Sequence, residues 1–151
     1  MTRVSEPLGE KEAHDLRLLG ELVRREYFPA VTSLSIRWGQ QRDRRRQRSI
    51  RLGSYNHKTA EIRIHPRLNR KDVPSLFIQS IIHHEYLHHM HGSRHDRHFH
   101  QMERRFRGHK EARAWLRGNL KMLLKVRTTV ATVPRPVAVP LARPFLQLFL
   151  F

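Results

Sequence analysis

Apolar residues recur along this chain in four stretches at helical spacing and three short stretches that alternate with polar residues, and the two periods together predict a small α+β domain. Residues 10–28 place Leu16, Leu19, Leu22 and Val23 at helical spacing and stop before Pro29, so a core-facing N-terminal helix is expected there. Within residues 31–38, Leu34, Ile36 and Trp38 alternate with Ser35 and Arg37, the pattern of a half-buried strand. Ile50 and Leu52 predict a second strand and Ile62 and Ile64 a third, with Tyr55 to Thr59 as the turn between them. The expected sheet is short and antiparallel.

Residues 74–91 carry Ile78, Ile81, Ile82 and Leu87 and predict a helix of about five turns. Pro74 suits its first turn, and Gly92 suits its end, because glycine readily takes the left-handed conformation there. Asp96 can cap a second, short helix in which Phe99, Met102 and Phe106 form an apolar stripe. A last helix is expected over residues 109–126, packing through Ala112, Trp115, Leu116, Leu120, Leu123 and Leu124 despite Gly118. From about Arg127 the character changes. Pro134, Pro136, Pro140 and Pro144 forbid regular helix, and the apolar end Phe145 to Phe151 is too short to span a bilayer. The chain therefore divides into a domain, residues 1–126, and a Pro-rich tail, residues 127–151, expected to be poorly ordered.

The second helical stretch contains His84-Glu85-Tyr86-Leu87-His88, which reads H-E-x-x-H. Residues four apart share a helix face, so His84 and His88 can hold one metal ion while Glu85 faces the water beside it. Zinc lowers the pKa of such a water toward neutrality, and a glutamate can take its proton and pass it to a leaving amine. The spelling arises by chance in roughly one chain in twenty of this His and Glu content. The apolar backing on the same helix sets this instance apart from a surface histidine cluster. A catalytic zinc site needs a third ligand and an open position. His89 points away from the His84 and His88 face, and His91 lies on the same helix and cannot readily close a tetrahedron. His95 follows the Gly92 turn, where the chain can fold back, and is chosen over His98 and His100. The remaining candidates, His89, His91, His98 and His100, are expected to be solvated.

His84-Glu85-x-x-His88 followed by His95-x-x-x-Phe99 resembles the SprT-like zinc metalloprotease family, whose motif is H-E-x-x-H followed by H-G-x-x-F. The likeness extends upstream to a helix ending near Tyr27-Phe28, a strand with Ile36 and Trp38, the segment Leu52-Gly53-Ser54-Tyr55, and Ile62 to Pro66. It covers about residues 12–120. The resemblance implies a small zincin-like fold in which a short sheet precedes an active-site helix followed by C-terminal helices. It makes His84, His88 and His95 zinc ligands and Glu85 the general base of an endopeptidase acting on a protein or peptide substrate. Two departures stand out: Asp96 replaces the glycine after the third histidine, and the lack of cysteine excludes the zinc ribbon of some members. Metzincin spacing fits less well, since Gly92 and His95 each fall one residue late.

Composition then narrows the partners. No cysteine is present, so disulfides and Cys-ligated zinc are excluded. No secretory signal is visible at Met1-Thr2-Arg3 and no run reaches the roughly 18 apolar residues of a spanning helix, so a soluble, cytoplasmic protein without a membrane partner is expected. A formal net charge of +17 points to polyanions, nucleic acid foremost. Arg42, Arg44, Arg45, Arg46 and Arg48, with Arg51 beyond them, cluster between two predicted strands, where a loop could track phosphates without reading bases. The bland alternative is a solvated basic loop. The resemblance to the SprT-like family implies proteins associated with DNA as substrates, and the charge points the same way. The competing function is a non-catalytic nucleic-acid-binding module with a structural or vestigial zinc site, against which an intact Glu85 argues. Tyr55 and His57 are the guesses for a second oxyanion donor.

Overall fold

The side chain of Asp15 accepts a hydrogen bond from the Leu18 N–H at 3.0 Å and so starts the first helix, α1 (Leu16–Tyr27). In the computed structural model, which describes residues 12–40 and 49–124, the elements that follow are β1 (Ser35–Trp38), β2 (Gly53–Asn56), β3 (Glu61–Ile64), a 3-10 turn at Pro66–Leu68, α2 (Ser75–His91), α3 (Arg97–Glu103) and α4 (His109–Leu124). This is an α+β domain with a small sheet, as the two hydrophobic periods predict. Leu16, Leu19 and Val23 are buried, whereas Leu22 is 49% exposed. At helical spacing Leu22 lies about 120° round α1 from Leu16, outside the buried stripe. Arg42, Arg44, Arg45, Arg46 and Arg48, and the tail of residues 127–151, lie outside the described residues.

The strand order is β1-β3-β2, with β2 antiparallel and β1 parallel to β3. The sheet is therefore mixed, not antiparallel throughout. β1 and β2 take the two edges, and β3 takes the middle place. Ile36 and Tyr55 thus both face Ile62 in register, from opposite sides. Backbone bonds continue beyond the strands, from the Gly39 N–H to the Ile64 carbonyl and from the His65 N–H to the Leu52 carbonyl, each 2.8 Å. β2 itself begins after Ile50 and Leu52, which are buried in the approach to it, and takes in Tyr55, expected in the turn.

Helix α2 packs against α1, β2, β3, α3 and α4. A helix surrounded in this way needs apolar residues on most sides, and Phe77, Ile78, Ile81, Ile82, Tyr86 and Leu87 are all buried. Tyr86 stacks on Phe28 with ring centroids 5.1 Å apart, and its hydroxyl accepts from the Leu34 N–H at 3.3 Å. Phe77 meets Trp115 of α4 at 4.4 Å. Pro74 caps the start of α2 and Gly92 its end, with φ 79° and its N–H donated to the His88 carbonyl at 3.0 Å. After that turn Asp96 accepts from the Phe99 N–H at 2.8 Å and begins α3. Phe106, expected on the same helix as Phe99, lies in the turn to α4 but is buried all the same. Among the described residues no helix is long and apolar enough to cross a membrane.

Candidate metal centre

His84 and His88 lie one turn apart on α2, and the bend at Gly92 brings His95 back over them. Their ring nitrogens converge. Nε2 of His84 is 3.0 Å from Nε2 of His88 and 3.2 Å from Nε2 of His95, and one ligand atom from each of the three lies within 4.8 Å of the others. Phe99, fully buried on α3, packs against all three rings at 5.0, 4.9 and 4.7 Å from His84, His88 and His95. Phe99, from the apolar stripe expected of α3, therefore supports the three converging rings directly.

The other nitrogen of two of these rings is fixed by the protein. His84 Nδ1 donates to Oε1 of Glu103 at 2.9 Å, and His88 Nδ1 donates to the Gly92 carbonyl at 2.9 Å. With the proton on Nδ1 in each ring, both Nε2 atoms present lone pairs, which repel at 3.0 Å. A cation between them turns that repulsion into ligation, so the donor set fits a metal. Three imidazole nitrogens suit zinc among several first-row metals. Burial pushes the pKa of His84 down to about 4, against the opposing pull of Glu103, so the ring stays neutral at physiological pH. His88 and His95 are lowered for the same leading reason, and His57 and Arg51 add to the effect at His88.

Glu103 is the residue that the sequence reading missed. It is buried at the end of α3, and its second oxygen accepts from His100 Nδ1 at 3.2 Å. Burial alone would raise its carboxyl, but the His84 hydrogen bond and the surrounding histidines outweigh it and hold the group down at about 2. A single glutamate on a short helix gives no motif. The available signal was its spacing, four residues after Phe99 and on the same face, in a stretch where Asp96 is the nearest other carboxylate in sequence. His100 is exposed, as expected of the remaining histidines, yet not bland, since it holds the far side of Glu103.

Glu85 is 2% exposed and sits between α2 and β2. Gly53 makes room for it: a Cβ there would lie 2.7 Å from Oε1 of Glu85 and 2.5 Å from Cγ2 of Ile81. Burial pushes the Glu85 carboxyl up to about 8, and Arg51 pulls it the other way. A neighbouring dication acts in the same sense as Arg51 and favours the ionised form. Its neighbour His83 faces the opposite way, among Tyr27, Phe28 and Phe106 at 4.9, 5.2 and 5.4 Å, and is a core residue. Tyr55 and His57 pack edge to face at 4.7 Å, and the Tyr55 hydroxyl shares a 2.6 Å hydrogen bond with Nδ1 of His89. Arg51, expected to belong to a phosphate-tracking loop, is charge-coupled to both Glu85 and His88. Comparison of the chain with protein-family models, with curated proteins and with solved structures found no match.

Proposed function

We propose that this chain is a zinc-dependent endopeptidase of the SprT-like type, directed at proteins associated with nucleic acid. The observation that carries the reading is the convergence of His84, His88 and His95 through Nε2, with a buried carboxylate, Glu85, on the same helix. His84, His88 and His95 would hold the metal, and Glu103 and the Gly92 carbonyl keep two of those rings in the ligating tautomer. Bound zinc would supply Lewis acidity for the substrate carbonyl and lower the pKa of the attacking water. Glu85 accepts the proton of that water on a carboxylate oxygen and delivers it to the amide nitrogen as the C–N bond breaks. The products are a carboxylate and an amine.

β2 is an edge strand beside α2, and an extended peptide could lie along it by backbone hydrogen bonds. Tyr55 on that strand, with His57 packed against it, would be the candidate donor to the carbonyl oxygen of such a peptide. The net charge of +17 supports nucleic-acid-bound proteins as the targets.

The test is Glu85→Gln in the full chain, with zinc content and cleavage of a denatured protein measured on the same samples. Gln keeps the shape and cannot accept the proton, so zinc should be retained and cleavage lost. Full activity in the zinc-loaded variant would sink the role of Glu85. Zinc binding without cleavage in the parent chain would leave the non-catalytic nucleic-acid-binding module as the better reading.

A further inference from the structure

The turn from α3 into α4 and the first three turns of α4 enclose a concavity of about 660 Å³. Five cationic side chains line it, Arg104, Arg107, Lys110, Arg113 and Arg117, against one carboxylate, Glu111. None of them belongs to the metal centre. Lys110, Arg113 and Arg117 recur at i, i+3 and i+7, so they form one stripe along α4. Arg104 and Arg107 continue it into the preceding turn. Among the described residues Arg107 has a loose contact with Glu26 at 3.8 Å, and no ion pair engages Arg104, Lys110, Arg113 or Arg117. Concentrating like charges in a concave wall costs free energy in the isolated protein, and an anion in the groove relieves it.

We propose that this groove binds the phosphodiester backbone of a nucleic acid. The stripe from Lys110 to Arg117 extends about 10 Å along the helix axis, long enough to reach more than one phosphate of a strand. A small anion would occupy only part of it. Arginine dominates the lining, and its planar fork suits phosphate oxygens. Of the two rings in the lining, Phe106 is 4% exposed and is no platform on which a base could stack, and His109 is half-buried. The contacts are therefore to backbone and carry no sequence preference. Arg104 directly follows Glu103, the carboxylate that orients His84, so a strand held in the groove runs alongside the helix that supports the metal ligands. The binding role does not depend on peptidase activity.

The test uses the zinc-loaded full chain and a fluorescent DNA duplex, with a single strand of the same length as a second probe. Lys110 and Arg117 are exposed, so the double variant Lys110→Glu, Arg117→Glu is expected to keep its circular dichroism and zinc content. It should bind the duplex roughly tenfold more weakly or worse, for unrelated sequences alike, and flatten the logarithmic salt dependence by about two units. If the charge reversal disturbs the fold, Lys110→Ala with Arg117→Ala reports the same loss of slope. The single strand distinguishes the source: a smaller salt slope of about 0.7 per phosphate is expected there, and equal sensitivity to the variant means that either form is bound. Unchanged binding in the folded variants would overturn the proposal, as would a loss confined to the variant Arg44→Ala, Arg45→Ala, Arg46→Ala. Polyglutamate binding as tightly as DNA at the same salt would also overturn it, in favour of an acidic protein. No arm measures proteolysis, so an inactive peptidase leaves the result intact.

Discussion

Replacing Glu103 by Ala tests whether the candidate metal centre depends on this carboxylate as well as on its three histidines. Oε1 accepts from His84 Nδ1 at 2.9 Å, and the carboxylate is about 10% exposed, so little water competes for the bond. A hydrogen bond to a charged group at such a site is worth about 1.5–3 kcal/mol. Loss of an outer partner of a metal-ligating histidine lowers metal affinity by roughly 10–100-fold, or about 1.4–2.7 kcal/mol. The two figures agree, so Glu103→Ala should weaken zinc binding by one to two orders of magnitude. Glu103→Gln keeps an acceptor oxygen and loses the charge, and its effect should fall between the parent and Ala. His100→Ala removes the contact on the far oxygen, 3.2 Å away and half exposed, and should change affinity only a few-fold. Competition against a chromogenic chelator at neutral pH measures all three, with circular dichroism as the check on folding. A folded Glu103→Ala protein that binds zinc within twofold of the parent would refute the reasoning.

Two further outcomes follow from the geometry. Gly92 has φ 79° and ψ −165°, a conformation almost confined to glycine, so Gly92→Ala should cost roughly 1–3 kcal/mol in urea unfolding and weaken zinc binding by loosening the carbonyl that holds His88; unchanged stability would mean that the turn relaxes freely. His65 is pushed from 6.5 down to about 4 by burial and by Arg67, and its Nδ1 accepts from the Arg67 N–H at 3.1 Å in the neutral form. The unfolded chain takes up this proton first, so the stability is fully present above about pH 6.5 and is lost as the pH falls toward 4. The side chain is partly exposed, so the loss is discounted to roughly 1 kcal/mol. His65→Asn, which keeps an acceptor that does not titrate, should remove that share of the pH dependence of the urea midpoint, and an unchanged profile would exclude His65 as its source.

The ends of α2 were legible because proline and glycine act through local backbone geometry, and Pro74 and Gly92 do so here. The Asp96 cap was legible for the same reason. The convergence of His84 and His88 follows from helical periodicity, and that of His95 from the bend between the helices. Sheet order was not legible, because the alternation of Ile36, Ile62 and Ile64 specifies which side of a strand is buried and says nothing about which strand lies beside it. Nor was β2, since Leu52 is buried on the way into the strand and Gly53, at its start, is chosen for space beside Glu85. Glu103 was hidden because its partner His84 lies 19 residues away and only packing of α3 on α2 brings them together. The basic groove was obscured by the arginine content of the whole chain, in which Arg113 and Arg117 are unremarkable until the turn at Arg104 and Arg107 closes a wall around them.

Gly92 ends α2, and its carbonyl anchors His88, so the last helical turn and one candidate metal ligand form a single unit. Helix ends are where native proteins open first, at a free energy far below that of global unfolding. A metal held by His84, His88 and His95 would stiffen that end by tying it to the residue beyond the bend. Exchange of the ion would then be timed by fraying, with the lifetime of the bound metal set by how often the segment from His88 to His95 lets go, and with no need for the core around Phe77 and Ile81 to open.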